Sequence, residues 1–185
     1  MELVREINCE KRDWRRDIGI TATAVGIVFV CADIWLPVWL VTKWFHALAA
    51  TFVAFGLHEL AHGLLFKLWT GRVKFGAGLT KFGPVFYASS PGSLLPRNKM
   101  LLIALAPQVL TIVYFLLSYL PLLEPIRVIL VLAGIMNLAG GSADFYCVVR
   151  MLEYPRELQV EDYPAGVRFY MPVKGGSSES IESVT

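Results

Sequence analysis

Residues His58-Glu59-Leu60-Ala61-His62 form an H-E-x-x-H pattern, and the spacing states its chemistry. On a helix, side chains four apart stand on one face, so the two imidazoles can reach a single metal ion. Zn²⁺ accepts nitrogen and carboxylate ligands in tetrahedral array, and a catalytic site keeps one position for water. Glu59, between the ligands, is then the general base for that water. Such a pattern also arises by chance, and a His or Glu in a buried helix can simply satisfy other polar groups. Three ionisable side chains in one apolar run are costly, however, and usually mark function. The chain has only three histidines, and two of them make this pattern. His46, the third, lies three turns earlier, about 18 Å along the axis and too far away to share the ion.

The elements that must hold these residues are apolar. Of the 185 residues 56% are hydrophobic and 17% charged, and the mean hydropathy is +0.56. That balance is too apolar for an ordinary soluble domain and predicts an integral membrane protein. The net charge of +2 is uninformative beside its distribution. Cys9, Cys31 and Cys147 are scattered, which predicts neither a disulfide framework nor a cysteine zinc site. Arg5, Lys11, Arg12, Arg15 and Arg16 precede an apolar run too long for a signal-peptide core, so that run reads as a retained first span.

Four spans are expected, at about 18–41, 45–69, 99–120 and 126–152, an α-helical integral membrane fold. This divides the chain into an N-terminal segment 1–16, a membrane domain 17–152 and a C-terminal segment 153–185. Trp35, Trp39 and Trp44 form an aromatic belt, Pro37 weakens the last turn of the first span, and Asp33 reaches interfacial water. Between the second and third spans, Val73, Phe75, Ala77 and Leu79 alternate with Lys74, Gly76, Gly78 and Thr80, which is strand periodicity. Val85-Phe86-Tyr87-Ala88 supplies a partner strand. This hairpin is either a surface connection or a sheet edge to which an extended substrate pairs. Pro107 predicts a kink in the third span. In the fourth, Asn137 and Asp144 on a stretch containing Gly140-Gly141 predict a packed polar cavity. Residues 160–171 hold one short amphipathic strand, and the tail from Gly175 has a disordered composition. Lys and Arg cluster in the N-terminus, residues 70–98 and the C-terminal side, so both termini are expected in the cytoplasm.

A catalytic zinc needs a third protein ligand. At about 1.5 Å per residue, His62 lies about 10 Å and His58 about 16 Å from the cytoplasmic end of their span. Asp144 lies about 12 Å in, at matching depth, whereas Asp33 is about 22 Å away and Glu124 is on the opposite surface. Asp144 is therefore the expected third ligand. Asn137, two turns deeper, has an amide suited to polarising a carbonyl or holding an oxyanion.

With these residues assembled, the chain resembles the site-2 protease group of intramembrane zinc metalloproteases, and most closely their small relatives of the zincin peptidase domain family. The resemblance spans about residues 45–152. It implies His58, His62 and Asp144 as zinc ligands, Glu59 as base and Asn137 as a supporting amide. Larger members carry Asn-Pro and Asp-Gly where this chain has Asn137-Leu138 and Asp144-Phe145. The implied activity is hydrolysis of a peptide bond in or beside a membrane span. The implied partners are a membrane-protein or peptide substrate and the lipid bilayer of a prokaryotic cell membrane, with no nucleic acid. Two alternatives stand beside it: a zinc hydrolase acting on a lipid or lipidated substrate, and a non-catalytic metal-binding scaffold. An intact Glu59 argues against the scaffold.

Overall fold

Helix α1 (Trp44–Thr70) divides cleanly into two faces. Ala54, His58, His62 and Phe66, each four residues from the last, are buried; Val53, Leu57, Leu60, Leu64 and Leu68 on the other side are exposed. Gly71 ends the helix at φ +70°, a conformation that suits a residue without Cβ. Its N–H closes the last turn on the Lys67 carbonyl at 3.0 Å.

The computed structural model describes residues 1–8, 44–80 and 83–173. The expected first span at 18–41, with Asp33, and the tail from Gly175 lie outside these residues. After α1 come β2 (Lys74–Thr80) and β3 (Gly83–Ser89), an antiparallel pair in which Phe75 faces Ala88. Strand β4 (Leu94–Pro96) leads into α2 (Arg97–Ser118), followed by α3 (Glu124–Gly140) and α4 (Ser142–Leu152). Strands β5 (Gln159–Tyr163) and β6 (Gly166–Met171) close the described chain. They join β1 (Glu2–Asn8) and β4 in a four-stranded sheet of order β1-β6-β5-β4.

The fold is therefore mixed α/β, and the expected helical fold of four membrane spans is corrected. Among the described residues there are four helices and two sheets. Of these helices only α2 is long and apolar enough to cross a membrane alone; α3 and α4 together make at most one more, bent by 41°. Two features of the described residues depart from that reading. The apolar run 126–152 breaks into two helices at Gly141, the C-cap of α3, where Gln108 packs so closely that a Cβ would lie 2.1 Å from its Nε2. The polar segments 2–8 and 159–171 also find each other across the whole chain, with Glu2 opposite Met171 and Asn8 opposite Gly166. A hydropathy count treats both as tails.

The sheet's inner face carries Ile7, Leu95, Val160, Val167 and Phe169, packed with Phe66, Met100, Ile103 and Met151. Each large side chain buried here contributes about 1.5–3 kcal/mol relative to exposure. A second cluster, Ala54, Tyr114 and Ala133, ties α1, α2 and α3 together deeper in the helices. At Gly140 a Cβ would lie 2.8 Å from the Phe55 ring, so α3 approaches α1 closely one turn from His58. Between these two clusters lie both histidines.

Candidate metal centre

His58 and His62 reach the centre from α1, and Asp144 reaches it from the first turn of α4, just past the bend at Gly141. The His58 Nε2 lies 3.1 Å from the Asp144 Oδ2, and the His62 Nε2 lies 3.5 Å from the same oxygen. The two Nε2 atoms are 3.3 Å apart. Their rings meet edge to face, with centroids 4.9 Å apart. Both histidines are buried and Asp144 partly so.

The outer partners of the rings fix which nitrogen carries hydrogen. The His62 Nδ1 is 2.9 Å from the Ile103 carbonyl. A carbonyl only accepts, so this nitrogen donates, and in the neutral ring the Nε2 keeps its lone pair. The Asn137 amide nitrogen donates to the Pro107 carbonyl and to the Thr111 Oγ1, each at 2.7 Å. Its oxygen is left to accept from the His58 Nδ1 at 3.2 Å. In the neutral His58 ring the Nε2 therefore also turns a lone pair inward. Asn137 is fully buried. Its two N–H groups are engaged within the fold, so in this structure it holds the His58 ring.

With both rings neutral, two imidazole lone pairs and a carboxylate oxygen face one another, and a cation among them, a metal ion or a ring proton, relieves their repulsion. Tetrahedral zinc with bonds of about 2.0–2.1 Å has ligand atoms about 3.3–3.4 Å apart. The three separations of 3.1, 3.3 and 3.5 Å bracket that edge. The donor set fits zinc.

Glu59 is partly buried beside the two histidines, and its Oε2 accepts the Ala88 N–H of β3 at 2.7 Å. Since that N–H points to Glu59, Ala88 turns its backbone polar groups away from β2. Strand alternation gives Phe86 the same orientation, so this edge of β3 lies next to the base. Phe75, opposite Ala88, fills the space over Gly63: a Cβ there would lie 2.2 Å from the ring. Hairpin and motif helix are in direct contact. Arg150, a conceivable rim partner for Asp144, pairs instead with Glu153 and lies over the Tyr146 ring.

Several participants have no sequence signal of their own. The Ile103 carbonyl and the Ala88 N–H are backbone groups. Thr111, which donates onward to the Gln108 Oε1 at 3.2 Å, is an ordinary residue of an apolar helix. Asp162 on β5 is a further case. It lies opposite Val167 and two residues from Val160, so it shares the sheet's apolar inner face. Burial pushes its carboxyl well above the usual range, and His62, Asp144 and Glu59 are close enough to act on its charge. The period-two pattern of β5 would have placed it there had the strand been recognised.

Residues 51–158, more than half of the chain, match the model of a family described as "Putative zincin peptidase". No curated protein and no solved structure matches the chain.

Proposed function

The chain belongs to this zincin peptidase family of zinc-dependent peptidases, and from that premise we propose that it cleaves a peptide bond in or beside a membrane span. The observation that carries the peptidase chemistry is the convergence of the His58 and His62 Nε2 atoms on the Asp144 Oδ2. Zinc held there would supply a Lewis acid for the scissile carbonyl and make water nucleophilic near neutral pH. The chain's own groups do the rest. Glu59 takes a proton from the attacking water as its oxygen bonds to the carbonyl carbon. It returns that proton to the amide nitrogen as the C–N bond breaks. The Ala88 N–H holds one Glu59 oxygen and leaves the other for this transfer. Asn137 and the Ile103 carbonyl keep the two imidazoles from turning.

The membrane setting is supported by the outer surfaces of the helices. Leu64, Leu68, Val109, Ile112 and Leu116 are all more than half exposed. An apolar surface of this extent suits lipid better than water. Helix α2 is long and apolar enough to cross a bilayer. Strands β1 and β6 pair in one sheet, so both would lie on one side of the bilayer, the cytoplasmic side by the positive-inside rule. The substrate is an extended peptide that adds to the free edge of β3 at Phe86, beside Glu59.

The test is zinc analysis of purified protein together with cleavage of membrane-spanning peptides presented in vesicles. Wild type should hold about one zinc per chain and cleave; Glu59→Gln should hold the zinc and lose cleavage by about 10²–10⁴-fold. A Glu59→Gln protein with near-normal turnover would remove Glu59 as the base. Cleavage of soluble peptides only would remove the membrane assignment.

A further inference from the structure

Pro107 is fully buried inside α2, in the turn that faces both histidines. A proline within a helix has no N–H to donate to the carbonyl four residues back, and its ring pushes that carbonyl off the helix axis. Here that carbonyl belongs to Ile103, and it accepts the His62 Nδ1–H at 2.9 Å. The carbonyl of Pro107 itself accepts the Asn137 amide at 2.7 Å. The oxygen of that amide in turn faces the His58 Nδ1 at 3.2 Å. One proline thus sits behind the outer nitrogen of each histidine, by two different backbone carbonyls.

We propose that Pro107 is a positioning residue for the metal centre: it frees the Ile103 carbonyl to hold His62 in the Nδ1–H tautomer, with its Nε2 lone pair directed at the ion. A proline that merely bent the helix would leave a carbonyl without a donor in apolar surroundings, a costly state unless some group answers it. The group that answers it is a ligand imidazole. Partners of this kind fix the ring and raise its basicity as a ligand, and their loss typically costs about 10–100-fold in metal affinity. The role rests on the reading of His58, His62 and Asp144 as a zinc site.

Two variants test it. Pro107→Ala returns an N–H to the helix and draws the Ile103 carbonyl back to its ordinary partner. The double variant Ala106→Pro/Pro107→Ala keeps a proline and a bend but moves the freed carbonyl to Leu102, a residue on the exposed side of α2. Zinc affinity is measured by competition with a chelator. The His62 Nδ1–H of the zinc-loaded protein is followed by ¹H–¹⁵N spectroscopy on ¹⁵N-histidine protein, where three histidines give few signals. Both variants should lose about tenfold or more in zinc affinity, and the His62 Nδ1–H should exchange faster with solvent. If either variant keeps wild-type affinity and a slowly exchanging Nδ1–H, the carbonyl is not what positions His62 and the proposal falls. A wild-type protein that takes up no zinc removes the metal reading itself, and the role of Pro107 with it.

Discussion

Replacing Asn137 with leucine isolates what one buried amide does for the centre. The side chain is fully buried and makes three hydrogen bonds, of which the one to the His58 Nδ1 at 3.2 Å touches a ligand. Leucine fills a similar space but accepts nothing, so the His58 N–H is left without a partner. A stranded buried donor costs about 1–3 kcal/mol, which should appear as lower thermal stability of the metal-free protein. The effect on zinc is worked separately. A neutral hydrogen bond of about 1 kcal/mol is already present in the metal-free protein and cancels from the affinity. An imidazole that has given its other lone pair to a cation is a stronger donor, and bonds to charged groups contribute about 1.5–3 kcal/mol. Zinc affinity changes only by the difference, about 0.5–2 kcal/mol, and at about 1.4 kcal/mol per decade this predicts a loss of roughly 2–30-fold. Asn137→Asp is the control. It keeps an acceptor for His58 but sets a carboxylate against the Pro107 carbonyl, so it should bind zinc more tightly than Asn137→Leu while remaining less stable than wild type. Chelator competition and thermal unfolding of the three proteins read both quantities. An Asn137→Leu protein with wild-type zinc affinity would refute the reasoning, because the ring would then need no outer partner.

Two further outcomes follow from the geometry. Asp144→Ala removes the oxygen shared by both imidazoles, so zinc affinity and cleavage should fall together, and a variant that keeps its zinc would show the carboxylate to be a bystander. Phe86→Pro deletes an N–H on the β3 edge that faces away from β2, so cleavage should fall several-fold with zinc content unchanged, whereas Tyr87→Pro interrupts the ladder with Gly76 and should loosen the hairpin itself. Equal, wild-type cleavage by the Phe86 variant would exclude pairing of substrate at that edge.

Some of this protein is a property of its sequence alone. Two histidines four apart on a helix share a face whatever surrounds them, and Glu59 between them follows from the same period. The alternation Val73 to Leu79, with its glycines, specifies the β2–β3 hairpin locally, because strand and turn preferences act over a few residues. Other features were decided only in three dimensions. Hydropathy sums the apolar residues of 126–152, but it does not show the 41° bend at Gly141, against which Gln108 of α2 packs. The pairing of β1 with β6 joins residues more than 150 positions apart, and no local pattern carries such a partnership. The centre itself divides in the same way. Its ligand types can be read along the chain, while the lone pairs are aimed by the Ile103 carbonyl and the Asn137 oxygen, and the base is held by the Ala88 N–H. Two of these three are backbone groups, which nearly every residue possesses and which the one-letter sequence does not distinguish. Only packing α1 against α2, α3 and β3 selects which of them meet a ligand or the base.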